Sequence, residues 1–401
     1  MSSGESRTRR EILADAAKLT AAASISGLAG CFPSVGGSWP DASTCTNPGT
    51  TSAAGVPPAV TPAVVEVFRP ESVVNYVIDP AAVATMLDAG LMALANQARM
   101  FNAGVSAQGG GANTPEAGAP ASDGGTDNPW AVLLPNYQPG QRIGLKVNCL
   151  NDHHVTTSPA LVGAIVASLH EKLGVDPTTI VVWDRFLADL ENSGKYSSDA
   201  LGGAKLVGNL LRGLNTGESE DDPTITGGHG FDDPICSAPI GVPLPGKIAS
   251  YPRLSRVLTQ EIDLVINCPV FKVHNISGIT GAMKNIYGMI NIPDQYHDAN
   301  LATDMPKLYA LPDIRNRISL TIFDALIGVV NGQTPADRPD QSPGRLLLAQ
   351  DPVAIDSYAL DLIDQLRALS GAGSRSAAAN PWLDGAATLG LGSRSYSLIQ
   401  V

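Results

Sequence analysis

Three times along this chain a short polar residue followed by proline heads an apolar-periodic run: Asp79-Pro80, Ser158-Pro159 and Asp351-Pro352. A short oxygen-bearing side chain caps the first unpaired N–H groups of a helix, and proline at the first helical position has no N–H to lose. The spacing of Val83, Met86, Leu87, Leu91 and Leu94 predicts a helix over Ala81–Phe101. The second start predicts a helix through Leu173, stopped by Gly174, and the third one through Leu369. Between them lie short runs rich in Val, Ile and Leu. These predict strands over Arg142–Cys149, Thr179–Trp183, Asp263–Cys268, Ser319–Asp324 and Arg345–Ala349. Strands that alternate with helices and are apolar on both sides belong to an α/β fold, a mainly parallel β-sheet with helices on both faces, of the doubly wound type.

Residues 61–401 carry this pattern and are long enough to bury a sizeable core. Ala103–Asn128, with Gly109-Gly110-Gly111 and Gly124-Gly125, reads as a low-complexity insertion at 103–128. Residues 1–30 read as an address. Thr8-Arg9-Arg10-Glu11-Ile12-Leu13 resembles a twin-arginine export signal, and Leu28-Ala29-Gly30-Cys31 resembles a lipobox, whose cysteine is lipidated. Residues 31–60, rich in Ser, Pro, Gly and Thr, read as a flexible tether. The expectation is an exported protein anchored in the bacterial envelope through Cys31, with a lipid membrane as partner. A formal net charge of −12 argues against nucleic acid as a partner. Cys45, Cys149, Cys236 and Cys268 form no C-x-x-C pair, so no iron–sulfur cluster is expected, and their disulfide status stays open.

In parallel sheets, ligands gather outside the carboxyl ends of the strands. There this chain places Lys146-Val147-Asn148, then Asn151-Asp152-His153-His154, Trp183-Asp184-Arg185, Asn267, Asp324 and Asp351. After the third strand comes Phe271-Lys272-Val273-His274, then Thr280-Gly281-Ala282-Met283-Lys284-Asn285. Two lysines and a histidine among apolar residues and glycines are costly to bury unless something meets their charge. Lys272 and His274 are two apart and point the same way on an extended segment. A helix starting near Ser277–Gly281 would put Lys284 beside Thr280 and offer N–H groups to an anion. Lys272, His274 and Lys284 are therefore the candidate catalytic residues, with Lys146, Asn148, Thr280, Gly281 and Asn285 as candidates for binding substrate. A divalent metal is an open option on Asp184, His153, His154 and Asp351, although the histidines show no metal-ligand spacing. No phosphate-binding glycine loop, dinucleotide fingerprint or serine-hydrolase elbow is present.

The run Asp263–His274 with Gly278–Gly288, Lys146-Val147-Asn148 upstream and Ala349–Asp356 downstream resembles the signature of the DUF362 family, over roughly Val64 to Leu369. Some members carry ferredoxin-type cysteines, which this chain lacks, so the resemblance implies no electron transfer here. A more distant likeness to lactate racemases is one of fold and site only. The expected function is an envelope enzyme using lysine and histidine acid–base chemistry on a small carboxylate or phosphate, of isomerase or lyase type. The alternatives are a lipid-anchored protein that binds a solute or metal without turnover, and an assembly factor whose lysines face water.

Overall fold

The computed structural model describes residues 61–108, 128–150, 154–211, 228–242, 251–297, 300–332 and 337–401. They belong to one compact unit spanning 45–401. The export signal, Cys31, the whole tether, the body of the insertion and His153 lie outside the described residues.

Ten strands form one sheet: β1 (Ala63–Phe68), β2 (Ile143–Lys146), β3 (Ile180–Phe186), β4 (Lys205–Leu210), β5 (Leu264–Asn267), β6 (Val270–His274), β7 (Gly278–Thr280), β8 (Ile318–Val329), β9 (Arg345–Ala349) and β10 (Ser397–Gln400). The main path runs β10-β1-β9-β8-β5-β2-β3-β4, and β6 pairs with β7 and β8 off it. From β8 through β5, β2 and β3 to β4 every pairing is parallel, whereas β9 runs antiparallel to both β1 and β8. The sheet is thus mainly parallel with an antiparallel flank.

Alternation along the strands divides the core in two. Ile180 and Val182 face one layer while Val181 and Trp183 face the other, as do Leu264 and Ile266 against Val265. Helices α1 (Pro80–Gln108) and α2 (Pro159–Leu173) cover the first face. Helices α3 (Leu301–Tyr309), α4 (Pro352–Leu369) and α5 (Ser376–Thr388) cover the second. All three cap motifs form as their local chemistry requires. Asp79 accepts from Ala81 N, Ser158 from Leu161 N, and Asp351 from Val353 N and Ala354 N. Gly174 ends α2 at φ +70°, the left-handed conformation that glycine adopts without strain. Helix α1 runs through Gln108, past the expected end at Phe101.

One departure from a plain doubly wound sheet positions the site. Strand β8 has 12 residues and pairs with β5 through Ile318–Thr321, then with β6 through Asp324 and Val329. The Cys268-Pro269 step separates β5 from β6, and Pro269 O accepts from Asp324 N. The long strand therefore carries β6 beyond the carboxyl rim of its neighbours.

Candidate functional site

Strands β6 and β7 form a hairpin in which Lys272 lies opposite Thr280 and His274 opposite Gly278. Phe271 and Val273 point into the core, so by strand alternation Lys272 and His274 face the other way. That side is a cavity of about 160 Å³ above the ends of β2 and β3. Its wall brings together Lys146, Asn148, Asp184, Lys272, His274, Thr280, Lys284 and Asn285, drawn from segments more than a hundred residues apart.

The expected helix at Ser277–Gly281 does not form. Gly278–Thr280 is strand, and a 3₁₀ turn begins only at Lys284. The N–H groups that were to meet an anion are instead taken by Asp356 on α4, which accepts from Ala282 N at 2.6 Å and Met283 N at 2.9 Å. Gly281 lies over this carboxylate, not in the cavity wall. A Cβ there would stand 2.3 Å from Asp356 Oδ1. Burial raises the Asp356 carboxyl to about 7, against the pull of those two N–H groups.

Three asparagines clamp the turn to the sheet. Asn285 Nδ2 donates to Asn267 Oδ1 (2.8 Å) and to Lys146 O (3.2 Å), Asn148 Nδ2 donates to Asn285 Oδ1, and Asn267 Nδ2 donates to Ala282 O. The cavity floor is the ion pair Lys146 Nζ–Asp184 Oδ1 at 2.7 Å. Lys146 also donates to Val147 O, so it orders the floor more than it reaches for a ligand. Asp184 further accepts from Cys149 N and Arg185 N.

Among the described residues the wall carries four cations, Lys146, Arg185, Lys272 and Lys284, and two carboxylates. Of these, Asp184 is held by Lys146, and Asp294 sits exposed at the rim. Lys272 donates to Val155 O at 3.0 Å. Burial depresses its ammonium to about 7, partly opposed by Cys149 and Asp184. Lys284 is likewise depressed to about 7, by burial first and the Lys272 charge second, with Asp294 opposing. His274 Nδ1 accepts from Ile276 N and Ser277 N, which leaves the ring proton of the neutral form on Nε2. His297 has the opposite tautomer, because its Nδ1 lies 2.9 Å from Pro293 O and must donate. Burial, Lys284 and Arg185 keep it neutral, with its pKa pushed down to about 3. The two rings lie 5.4 Å apart, one with a proton and one with a lone pair on Nε2. Thr280 Oγ1 is buried without a hydrogen-bond partner among the described residues, as is Asn148 Oδ1.

Among the described residues, the members of the expected metal set are not brought together, and His153 lies outside them. Asp351 caps α4, also accepts from Ser393 N and is not part of the cavity wall, so its role is that of a cap. His154 is exposed and off the wall. Among the described residues no three His, Cys, Asp or Glu side chains form a metal-ligand group. Cys149 and Cys268 are buried free thiols. Arg185, Tyr287, Asp294 and His297 also line the cavity and were not among the candidate site residues. Arg185 stood at a strand end beside Asp184 and was open to the same rule. His297 reaches the cavity only through the fold of 284–297, which no local pattern announces.

Residues 229–361 match the family model described as Domain of unknown function (DUF362). That segment holds the hairpin with Lys272, His274, Thr280 and Lys284, but not the floor pair Lys146–Asp184. No curated protein matches the chain. A crystal structure of a Thermotoga maritima protein is similar at 12% identity and a TM-score of 0.30, over 60% of this chain and 56% of that one. The chain thus spans little more than half the length of that protein.

Proposed function

We propose that this DUF362-type protein is an envelope enzyme acting on a small anionic substrate, a carboxylate or phosphate, by lysine and histidine acid–base chemistry of isomerase or lyase type. The observation that carries the reading is the cavity with four basic side chains on its wall and only one carboxylate deep inside it. Lys272 and Arg185 hold the anion. Thr280 Oγ1 and Asn148 supply hydrogen bonds that the protein does not otherwise satisfy. Lys284, with a pKa near neutrality, is matched to accept a proton at working pH, and His274 presents its Nε2–H to the substrate. Export and anchoring through Cys31 rest on the twin-arginine and lipobox patterns. Intact-mass analysis of the membrane-bound protein tests them by looking for a lipid-modified Cys31 at the mature N-terminus.

The site reading is tested by thermal shift of the mature protein with small carboxylates and phosphates, alongside Lys272→Ala and His274→Ala. We expect the wild type to gain stability with at least one anion class and Lys272→Ala to lose that gain. Equal gains in all three proteins would remove the cavity from the reading.

A further inference from the structure

We propose that Lys284 is a nucleophile that condenses through Nζ with the carbonyl carbon of a short 2-oxo acid held in the cavity, forming an imine. This rests on the anion-binding reading of the site and narrows its substrate class.

The three lysines of the wall differ in what occupies their nitrogens. Lys146 Nζ is bound to Asp184 and Val147 O, and Lys272 Nζ donates to Val155 O. Lys284 makes no hydrogen bond or ion pair with the described residues. Its Nζ stands 5.1 Å from the centre of the Tyr287 ring, and the residue is only 8% exposed. An amine attacks a carbonyl only when neutral, and a lysine beside another cation in a dry pocket is the arrangement that makes it so. Lys272 supplies that cation: its charge lowers Lys284, while its own Nζ is engaged with Val155 O. The groups around Lys284 are Lys272, Arg185 and His297, with Asp294 opposing from the rim. An ordinary lysine is neutral in only about four molecules per ten thousand at neutral pH, whereas burial and Lys272 bring Lys284 to about 7.

The rest of the wall suits a 2-oxo acid. Arg185 and Lys272 meet the carboxylate, while Leu150, Tyr287 and Pro293 leave an apolar corner for a short side chain. The chemistry balances without a co-reactant. The Nζ lone pair forms the N–C bond and the carbonyl π pair moves to oxygen, where His274 Nε2–H donates a hydrogen bond to the developing charge. A proton passes from the nitrogen to that oxygen, giving the carbinolamine. Its hydroxyl takes one further proton from solvent and leaves as water as the nitrogen lone pair closes the C=N bond. The protonated imine then draws electrons from a bond to the adjacent carbon, which is what isomerase or lyase chemistry needs.

Mature full-length protein would be incubated with pyruvate or 2-oxobutyrate and sodium cyanoborohydride, whose hydride reduces an imine to a stable secondary amine. Intact mass and peptide mapping then locate the product, and a thermal shift without borohydride reads binding separately. We expect one adduct per chain, on the peptide carrying Lys284, with a labelling midpoint near pH 7. Lys284→Arg should abolish it, and Lys272→Met should move the midpoint upward. Mapping of the wild-type adduct stands even if a variant fails to fold. A thermal shift with no adduct, or adducts spread over exposed lysines and unchanged in Lys284→Arg, overturns the nucleophile and leaves the anion site standing. Neither shift nor adduct overturns both.

Discussion

Lys146 and Asp184 meet 2.7 Å apart with side-chain exposures of 1% and 7%. A pair this dry adds little net stability, because desolvation offsets most of the attraction, yet removing one partner strands a buried charge. Lys146→Met should therefore cost about 3–5 kcal/mol in urea unfolding, and Asp184→Asn a similar amount. The double variant should recover part of the loss. Losses that simply add would show that the two residues do not act as a pair. The same floor explains Gly288: a Cβ there would lie 2.6 Å from Lys146 Nζ and 2.8 Å from Asp184 Oδ1. Lys146 and Asp184 were each legible as site residues because each stands at the end of an apolar strand. Their pairing was not, because strand pairing of β2 with β3 sets Lys146 beside Trp183, one residue short of Asp184, and no spacing in the sequence encodes that register.

The hairpin of β6 and β7 is held from behind by α5. Trp382 Nε1 donates to Ser277 O at 2.9 Å, and Ser277 N in turn donates to His274 Nδ1. Gly278, at φ +80°, sits so close to α5 that a Cβ would lie 2.8 Å from Arg375 O. Trp382 thus positions His274 without touching the cavity. Trp382→Phe leaves Ser277 O unpaired and should cost about 1–3 kcal/mol. It should also shrink the anion-induced thermal shift while leaving the Lys146–Asp184 coupling unchanged. An unaltered shift would show that the imidazole does not depend on this helix. Elements defined by local chemistry, such as α2 between Ser158 and Gly174, were legible from the sequence alone. The hairpin was not. Gly278, Thr280 and Gly281 read as a helix start, and only Asp356, 74 positions from Ala282, takes the N–H groups that such a helix would have used. Strands β1, β4 and β10 also escaped the sequence reading. β1 and β4 carry Glu66 or Lys205 and Asn209 among their apolar residues, and the outermost strand β10 is only Ser-Leu-Ile-Gln.

Across the whole molecule the buried groups set opposing slopes of stability against pH. Asp356 rises from 3.8 to about 7 on folding, so between those values the native state keeps a proton that the unfolded chain has lost. Stability therefore falls through that window. Lys272 and Lys284 drop from 10.5 to about 7, so above pH 7 the unfolded chain holds protons that the native state has released. Stability then rises, by up to about 1.4 kcal/mol per pH unit for each lysine. Buried Cys149 and Cys268, raised above 9.0, oppose this once unfolded thiols ionise, so pH 7–9 is the window that reports on the lysines. The ligand-free protein should show a stability minimum near neutrality. Asp356→Asn should flatten its acid side and Lys272→Met its alkaline side. A bound anion stabilises the protonated amines, so its binding takes up protons. The thermal shift that it produces should shrink as pH climbs from 7 to 9. Denaturant midpoints from pH 5 to 9, with and without the anion, measure all of this. A wild-type curve flat from 7 to 9 and indifferent to Lys272→Met would mean that the amines stay charged inside the fold. They could then be neither base nor nucleophile, and the cavity would be left with binding alone.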